Sequence, residues 1–385
     1  MQMFPKTTSS IPLNMPRDVY EAYKKDFQNG CVTVGNICSA NCFFCLQKWN
    51  PPGVIKDLKR FLTMKEIKHF TNLYLNRIEC ISSAFHTNPG EFFLHPNAIE
   101  ILYFLATRNK SLKNLGIFTN GMDLSVEHIK IIKKLNLYLY LSLNSADIIT
   151  RRKIMGGSYF KNKNAIDSIY TLDKYDVNYH VWIVPLRSNL NNGDVESTIR
   201  YLKNSKVESI DIHRPGYTKY TPSHIAKELT IPDKELFEFI LLMKKKHKVN
   251  IDIERLSAGS KFKDIFYRLR TLFKNTKNLH IKKKLFLCSK AVEDILPLVL
   301  IKMEMQNYKI KVVESKVFGG NVDCAGLLLV EDYICAIEEF LRQSQNRKPE
   351  VIILPRVSFD INMEDLSMTP VRKIQNRYKL KLILV

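Results

Sequence analysis

The chain reads as an α/β protein, a partial (βα)6 TIM-like barrel followed by a second, C-terminal α+β domain. Three observations predict this. Between Cys31 and Arg214, short apolar segments alternate with amphipathic helical ones, the pattern of a parallel sheet. Six such units suit an open, three-quarter barrel better than a closed eight-unit one. Beyond about Tyr220 the alternation breaks down, and a length of 385 residues favours two domains.

Strands are expected at 31–35, 77–82, 115–118, 137–143, 177–185 and 209–213. Helical patterns at 63–73, 97–107, 126–134, 165–174 and 194–203 separate them. A helix-rich stretch over 233–277 follows, then the apolar segment 285–288, a long apolar helix to about 305, and strands with Gly-rich connections. The expected division is an extension at 1–30, a core at 31–225 and a C-terminal domain at 226–385. In barrels of this kind the active site lies at the carboxyl ends of the strands, and the densest cysteine cluster of the chain follows the first strand.

Composition is that of a folded soluble protein, 45% hydrophobic and 25% charged. Residues 1–10 lack the apolar core of a secretory signal, and the apolar stretch 295–301 is interrupted by Lys302 and too short to cross a bilayer. A cytoplasmic protein without membrane association is expected. The balance of 59 basic against 38 acidic residues gives +21, a charge that attracts polyanions such as RNA. The lysines nevertheless come as scattered runs, 244–246 and 282–284, without Arg–aromatic interleaving, so compositional bias is favoured over a nucleic-acid partner.

Three cysteines, Cys38, Cys42 and Cys45, fall within eight residues. Thiolates are the ligands of iron-sulfur clusters, and three on one loop can hold three corners of a [4Fe-4S] cubane while leaving the fourth iron open to substrate or cofactor. A structural zinc site wants a fourth ligand from a second pair roughly 12 to 20 residues on, and none follows there. A disulfide framework is unnecessary in a chain able to bury its own core. Free cysteines packed as small hydrophobes are the remaining alternative. Of the other five, Cys31, Cys80, Cys288, Cys324 and Cys335, no two are closely spaced. A second cluster is therefore not expected, although Cys288 and Cys324 stay open as remote ligands.

The Cys-x3-Cys-x2-Cys spacing, with Phe44 just before the last cysteine, resembles the signature of the radical S-adenosylmethionine (SAM) superfamily, whose cluster reductively cleaves SAM to an adenosyl radical. Further segments at successive strand ends strengthen the likeness over roughly 31–217. Pro89-Gly90-Glu91 resembles the family's Gly-Gly-Glu-Pro segment, with Pro89 in place of the first glycine and Phe92 in place of the proline. Phe118-Thr119-Asn120-Gly121 resembles the Thr-Asn-Gly segment of molybdenum-cofactor-biosynthesis-type members, and Ser142-Leu143-Asn144 the family's Ser-Leu-Asp/Asn.

The resemblance implies metal ligation by Cys38, Cys42 and Cys45, and contacts to SAM from Phe44, Pro89, Gly90, Glu91, Thr119, Asn120, Ser142 and Asn144. Phe44 would lie against the adenine. Gly90, lacking a Cβ, would let its backbone approach the methionine end. Positive charge near the SAM carboxylate would come from Arg151, Arg152 or Lys153, with no choice among them. The resemblance further implies a small-molecule or peptide substrate and a reductase such as flavodoxin or ferredoxin.

Downstream, Phe318-Gly319-Gly320-Asn321, Ile353-Leu354-Pro355-Arg356 and the junction Gly216-Tyr217-Thr218-Lys219-Tyr220 resemble a C-terminal domain of unknown function in bacterial iron-sulfur oxidoreductases; many of these carry a PDZ domain in front, for which the extension expected at 1–30 is too short. The loop at 318–326 is expected either to cover the mouth of the barrel, with Tyr217 at the junction, or to be a tight turn between strands. Three alternatives stay open: an RNA-modifying enzyme, transfer of the aminocarboxypropyl arm of SAM, and a non-enzymatic metal-binding module.

Overall fold

A computed structural model describes residues 15–54, 58–82, 90–108, 115–252, 262–275, 282–343 and 348–385. Seven strands, β1 (Cys31–Val32), β2 (Cys80–Ile81), β3 (Gly116–Thr119), β4 (Tyr138–Ser142), β5 (Tyr179–Ile183), β6 (Ser209–Ile212) and β7 (Ile251–Asp252), form one sheet in sequential order with every pairing parallel. The six expected units are present, and β7 adds a seventh strand.

The strand register shows which side chains share each face of this sheet. Ile81, Ile117, Leu139 and Tyr179 form one cross-strand row, and Thr119, Leu141, Val181, Ile210 and Ile251 another. The apolar members of both rows are buried in one core with Ile67 and Phe70, Ile129 and Ile132, Ile169 and Leu172, and Val195, Ile199 and Leu202. These belong to the helices Met64–Tyr74, Val126–Lys134, Tyr159–Lys174 and Asp194–Leu202, where i, i+3 and i+4 spacing puts them on one stripe. The first three of these helix starts are marked by side-chain caps: Thr63 with Glu66 and Ser125 with His128 form capping boxes, and Ser158 accepts from the Lys161 amide. With these helices on one face of a parallel sheet, the other face is left to line the barrel interior.

Two segments take other places than expected. The helix Arg17–Gln28 is part of the first core, with Tyr23 and Phe27 fully buried, rather than an extension from it. Past residue 225, the helix Asp233–His247 buries Leu236, Ile240 and Met243 in the same core and leads to β7, so the first sheet continues to Asp252.

A second sheet runs β11 (Lys381–Leu384), β10 (Val351–Leu354), β8 (Lys284–Ser289), β9 (Tyr308–Val313), again all parallel. The helices Ile295–Lys302, Val330–Gln343 and Arg372–Tyr378 lie between successive strands, so this part is an α/β unit and not α+β. The segment 285–288 is a central strand buried on both faces, which is why its apolar run carries no alternation. The apolar helix after it is only the eight residues Ile295–Lys302.

Among the described residues, the two parts are joined around Lys25 and around Asn321. The buried Lys25 ammonium donates to the carbonyl of Asp365 and lies 3.4 Å from the Asp360 carboxylate. On the other side, Asn321 donates from its side chain to the Pro215 carbonyl at 2.9 Å and accepts from the Tyr217 amide at 2.7 Å, while Arg214 pairs with Asp323.

Candidate active site

The cysteine loop leaves β1 and is held by backbone bonds to distant parts of the barrel. The amides of Asn41 and Phe43 donate to the carbonyls of Met155 and Ile154, both at 2.8 Å, at the end of the helix Ile148–Met155. The Ile37 carbonyl accepts from the Glu91 amide at 2.7 Å, and the Cys42 carbonyl from the Lys48 ammonium at 2.8 Å. Cys42, Phe43, Phe44, Trp49 and Tyr217 are half-buried against Met122, Ile154 and Met155. Phe44 therefore stands in an apolar cluster beside the cysteines.

Glu91, Thr119 and Asn120 meet where β3 ends. The fully buried Glu91 carboxylate accepts from the Thr119 hydroxyl at 2.6 Å and from the amides of Asn120 at 2.8 Å and Phe93 at 3.3 Å. Asn120 in turn points its amide nitrogen at the Cys38 sulfur, 3.4 Å away, and its carbonyl oxygen accepts from the Met122 amide. Gly90 packs directly on the backbone of Gly35, so its lack of a Cβ serves the seating of the cysteine loop. Pro89 lies outside the described residues.

At the end of β4 the side chains diverge. Ser142 faces the barrel interior in a row with Trp182 and Asp211. Asn144 is fully buried in a left-handed conformation, accepting from the Val184 amide at 2.8 Å and touching Met155 Sδ at 3.0 Å. Those bonds join the ends of β4 and β5 through Asn144. Of the three basic residues after it, Arg152 and Lys153 are exposed, whereas Arg151 is fully buried and reaches the carbonyls of Asn120, Ser142 and Leu143.

The inner face carries groups that the strand pattern did not single out. Phe118, Tyr140 and His180 are cross-strand neighbours on β3, β4 and β5, stacked with centroids 4.6 and 4.9 Å apart and all half-exposed. Beside them the Asp211 carboxylate accepts from Trp182 Nε1 at 2.8 Å and from the Ser209 hydroxyl at 2.9 Å. Alternation alone could have flagged these positions, since each is the polar or aromatic partner of an apolar outward residue.

The Gly-Gly loop is neither a turn between strands nor free over the mouth. Its Gly320, at φ +64°, presses on the Tyr217 carbonyl, the Lys219 amide donates to Phe318, and the Thr218 hydroxyl donates to the carbonyl of Trp49. The second sheet is thus joined through 217–219 to the end of the cysteine loop.

Burial pushes the Cys38 thiol up to about 12, with the Glu91 charge adding to it although the residue keeps an exposed side, and burial also raises the thiols of Cys42 and Cys45. The three act on one another's ionisation, but among the described residues no three Cys, His, Asp or Glu side chains are drawn into a metal cage. A thiol in such surroundings ionises readily only beside a cation, and soft thiolates beside a buried guanidinium are a donor set that fits an iron-sulfur cluster.

Residues 32–202 match the model of the Radical SAM superfamily. Among solved structures, SuiB of Streptococcus suis bound to S-adenosylmethionine is 15% identical with a TM-score of 0.43, over 58% of this chain and 49% of that one. A radical SAM methyltransferase from Sphaerobacter thermophilus is 14% identical with a TM-score of 0.43, over 58% of this chain and 64% of that one. The match thus spans about half of the first and under two thirds of the second. No curated protein matches the chain. The barrel thus carries a radical SAM domain over residues 32–202. Among the described residues no helix is long and apolar enough to cross a membrane.

Proposed function

We propose that this enzyme binds one [4Fe-4S] cluster through Cys38, Cys42 and Cys45 and uses SAM to remove hydrogen from a small-molecule or peptide substrate in the cytoplasm. The observation that carries the proposal is the convergence of the cysteine loop and the end of β3, where the Asn120 amide stands 3.4 Å from Cys38 Sγ. When bound, the cluster supplies the electron, drawn from a flavodoxin- or ferredoxin-like donor, that splits SAM into methionine and the radical that abstracts hydrogen.

The chain's own residues do the rest. Glu91, held by Thr119 and Asn120, keeps the turn after β3 against the loop. Ser142 and the half-exposed Phe118, Tyr140 and His180 offer the inner surface on which SAM and the substrate would be set against each other. Tyr217 closes the cluster around Phe43 and Phe44 and helps to exclude water from the loop.

Anaerobic reconstitution tests the proposal. About four irons per chain and formation of 5′-deoxyadenosine from SAM and a reductant are expected, both lost on replacing Cys38, Cys42 or Cys45 by Ala. Methylthioadenosine in place of 5′-deoxyadenosine would establish aminocarboxypropyl chemistry instead, and undiminished cleavage in a cysteine variant would sink the assignment.

A further inference from the structure

We infer that Arg151 is a positioning residue for the cofactor pocket: it ties the ends of β3 and β4 together and places a buried positive charge beside the cysteine loop. This rests on the cluster assignment proposed above. Arg151 is the largest fully buried side chain of the described residues. Its Nε donates to the Leu143 carbonyl at 2.8 Å, one terminal nitrogen to the Asn162 side-chain oxygen at 2.6 Å, and the other to the carbonyls of Asn120 at 2.6 Å and Ser142 at 3.2 Å. Asn162 is itself oriented by donating to the carbonyls of Gly156 and Ser158 at 2.8 and 2.9 Å. One planar fork thus spans the ends of β3 and β4, a reach that a lysine ammonium does not have.

None of these acceptors is a carboxylate. A buried guanidinium is ordinarily paired with an anion, because carbonyl dipoles orient it without cancelling its charge. Burial draws the Arg151 pKa down to about 10, which leaves it protonated at neutral pH, and the groups that feel its charge are Cys42 and Glu91. The pocket therefore holds a fixed cation beside Cys42 and Glu91. A [4Fe-4S] core of charge 2+ held by three thiolates carries net negative charge, which grows on reduction, and a nearby cation favours the reduced form.

Two substitutions separate the clamp from the charge. In reconstituted Arg151→Lys the charge stays and the fork is lost, so the midpoint potential of the cluster should remain at the wild-type value while SAM binding to the oxidised cluster weakens about tenfold. In Arg151→Gln the potential should also move to more negative values. Wild-type SAM affinity in Arg151→Lys would overturn the clamp, and a wild-type potential in Arg151→Gln the charge. Should Arg151→Gln fail to load iron, Asn162→Asp, which sets a carboxylate on the same guanidinium, should move the potential in the same direction, and an unmoved potential there overturns the charge equally. Failure of the wild-type protein to hold a cluster at all would overturn the cluster assignment instead.

Discussion

Gly90 lies so close to Gly35 that a β-carbon on it would stand 1.7 Å from the Gly35 carbonyl oxygen and 3.1 Å from that of Ile37. Backbone on backbone leaves nothing to swing aside. Gly90→Ala should therefore displace the cysteine loop, destabilise the fold by about 3 kcal/mol and lower iron content and SAM affinity together. Iron per chain after reconstitution checks this. Full iron loading with weakened SAM binding would restore the reading in which Gly90 serves the ligand directly.

The Glu91 carboxyl is pushed up by burial from 4.5 to about 7, against the opposing pull of its hydrogen bonds from Asn120, Thr119 and Phe93. Below pH 4.5 folded and unfolded chains both hold the proton. Between there and pH 7 the unfolded chain releases it and the folded chain keeps it, so stability falls as pH rises through this window and levels off above it. The loss is about 3 kcal/mol at roughly 1.4 kcal/mol per pH unit. Urea unfolding of cluster-free protein at pH 5 and 7.5 should show the decline, and Glu91→Gln should abolish it. An equal decline in the variant would assign it to other groups.

Gly320 combines a left-handed φ of +64° with a carbonyl, that of Tyr217, only 2.2 Å from where a β-carbon would be. Gly320→Val should undock the loop from 217–219 and cost about 3 kcal/mol. SAM cleavage and substrate turnover should then fall together, as should resistance to limited proteolysis near residue 220. Loss of turnover with cleavage intact would show instead that the loop acts as a lid.

Removing the Lys25 ammonium leaves the buried Asp360 carboxylate without its ion partner. Lys25→Ala should lower stability by about 3 to 5 kcal/mol, measured by chemical denaturation. A change under about 1 kcal/mol, the range of surface pairs, would show that water reaches Asp360.

The parts legible in the sequence are those whose chemistry is local. Cys38, Cys42 and Cys45 stand out because the spacing that the proposed cluster rests on is local to eight residues. The strands β3 to β6 fall within about two residues of their expected bounds because their outward rows are almost continuous apolar residues. β7 has two residues between a lysine-rich helix and a charged segment, too few to carry a period. The run 285–288 is apolar throughout, so strand and helix read alike until burial on both faces decides. Arg151, Arg152 and Lys153 differ only in helix phase, and only packing reveals that the first points inward. Gly90 was legible as a glycine that matters, but its reason lies in Gly35, which is distant in sequence.

The anchorage of the cysteine loop also sets an order of events in the cell. Cys42 touches Met155, a partner 113 residues later in the chain, and the loop amides bond to Ile154 and Met155. At a synthesis rate of roughly 5–20 residues per second, the thiols leave the ribosome on the order of ten seconds before the helix that shapes their loop. During that interval they belong to a nascent segment with no fixed form. If these thiols hold the proposed cluster, iron delivered then would meet an unshaped ligand set, and metallation would fall to the finished barrel, with the supply of iron matched to the completed chain rather than to the emerging one.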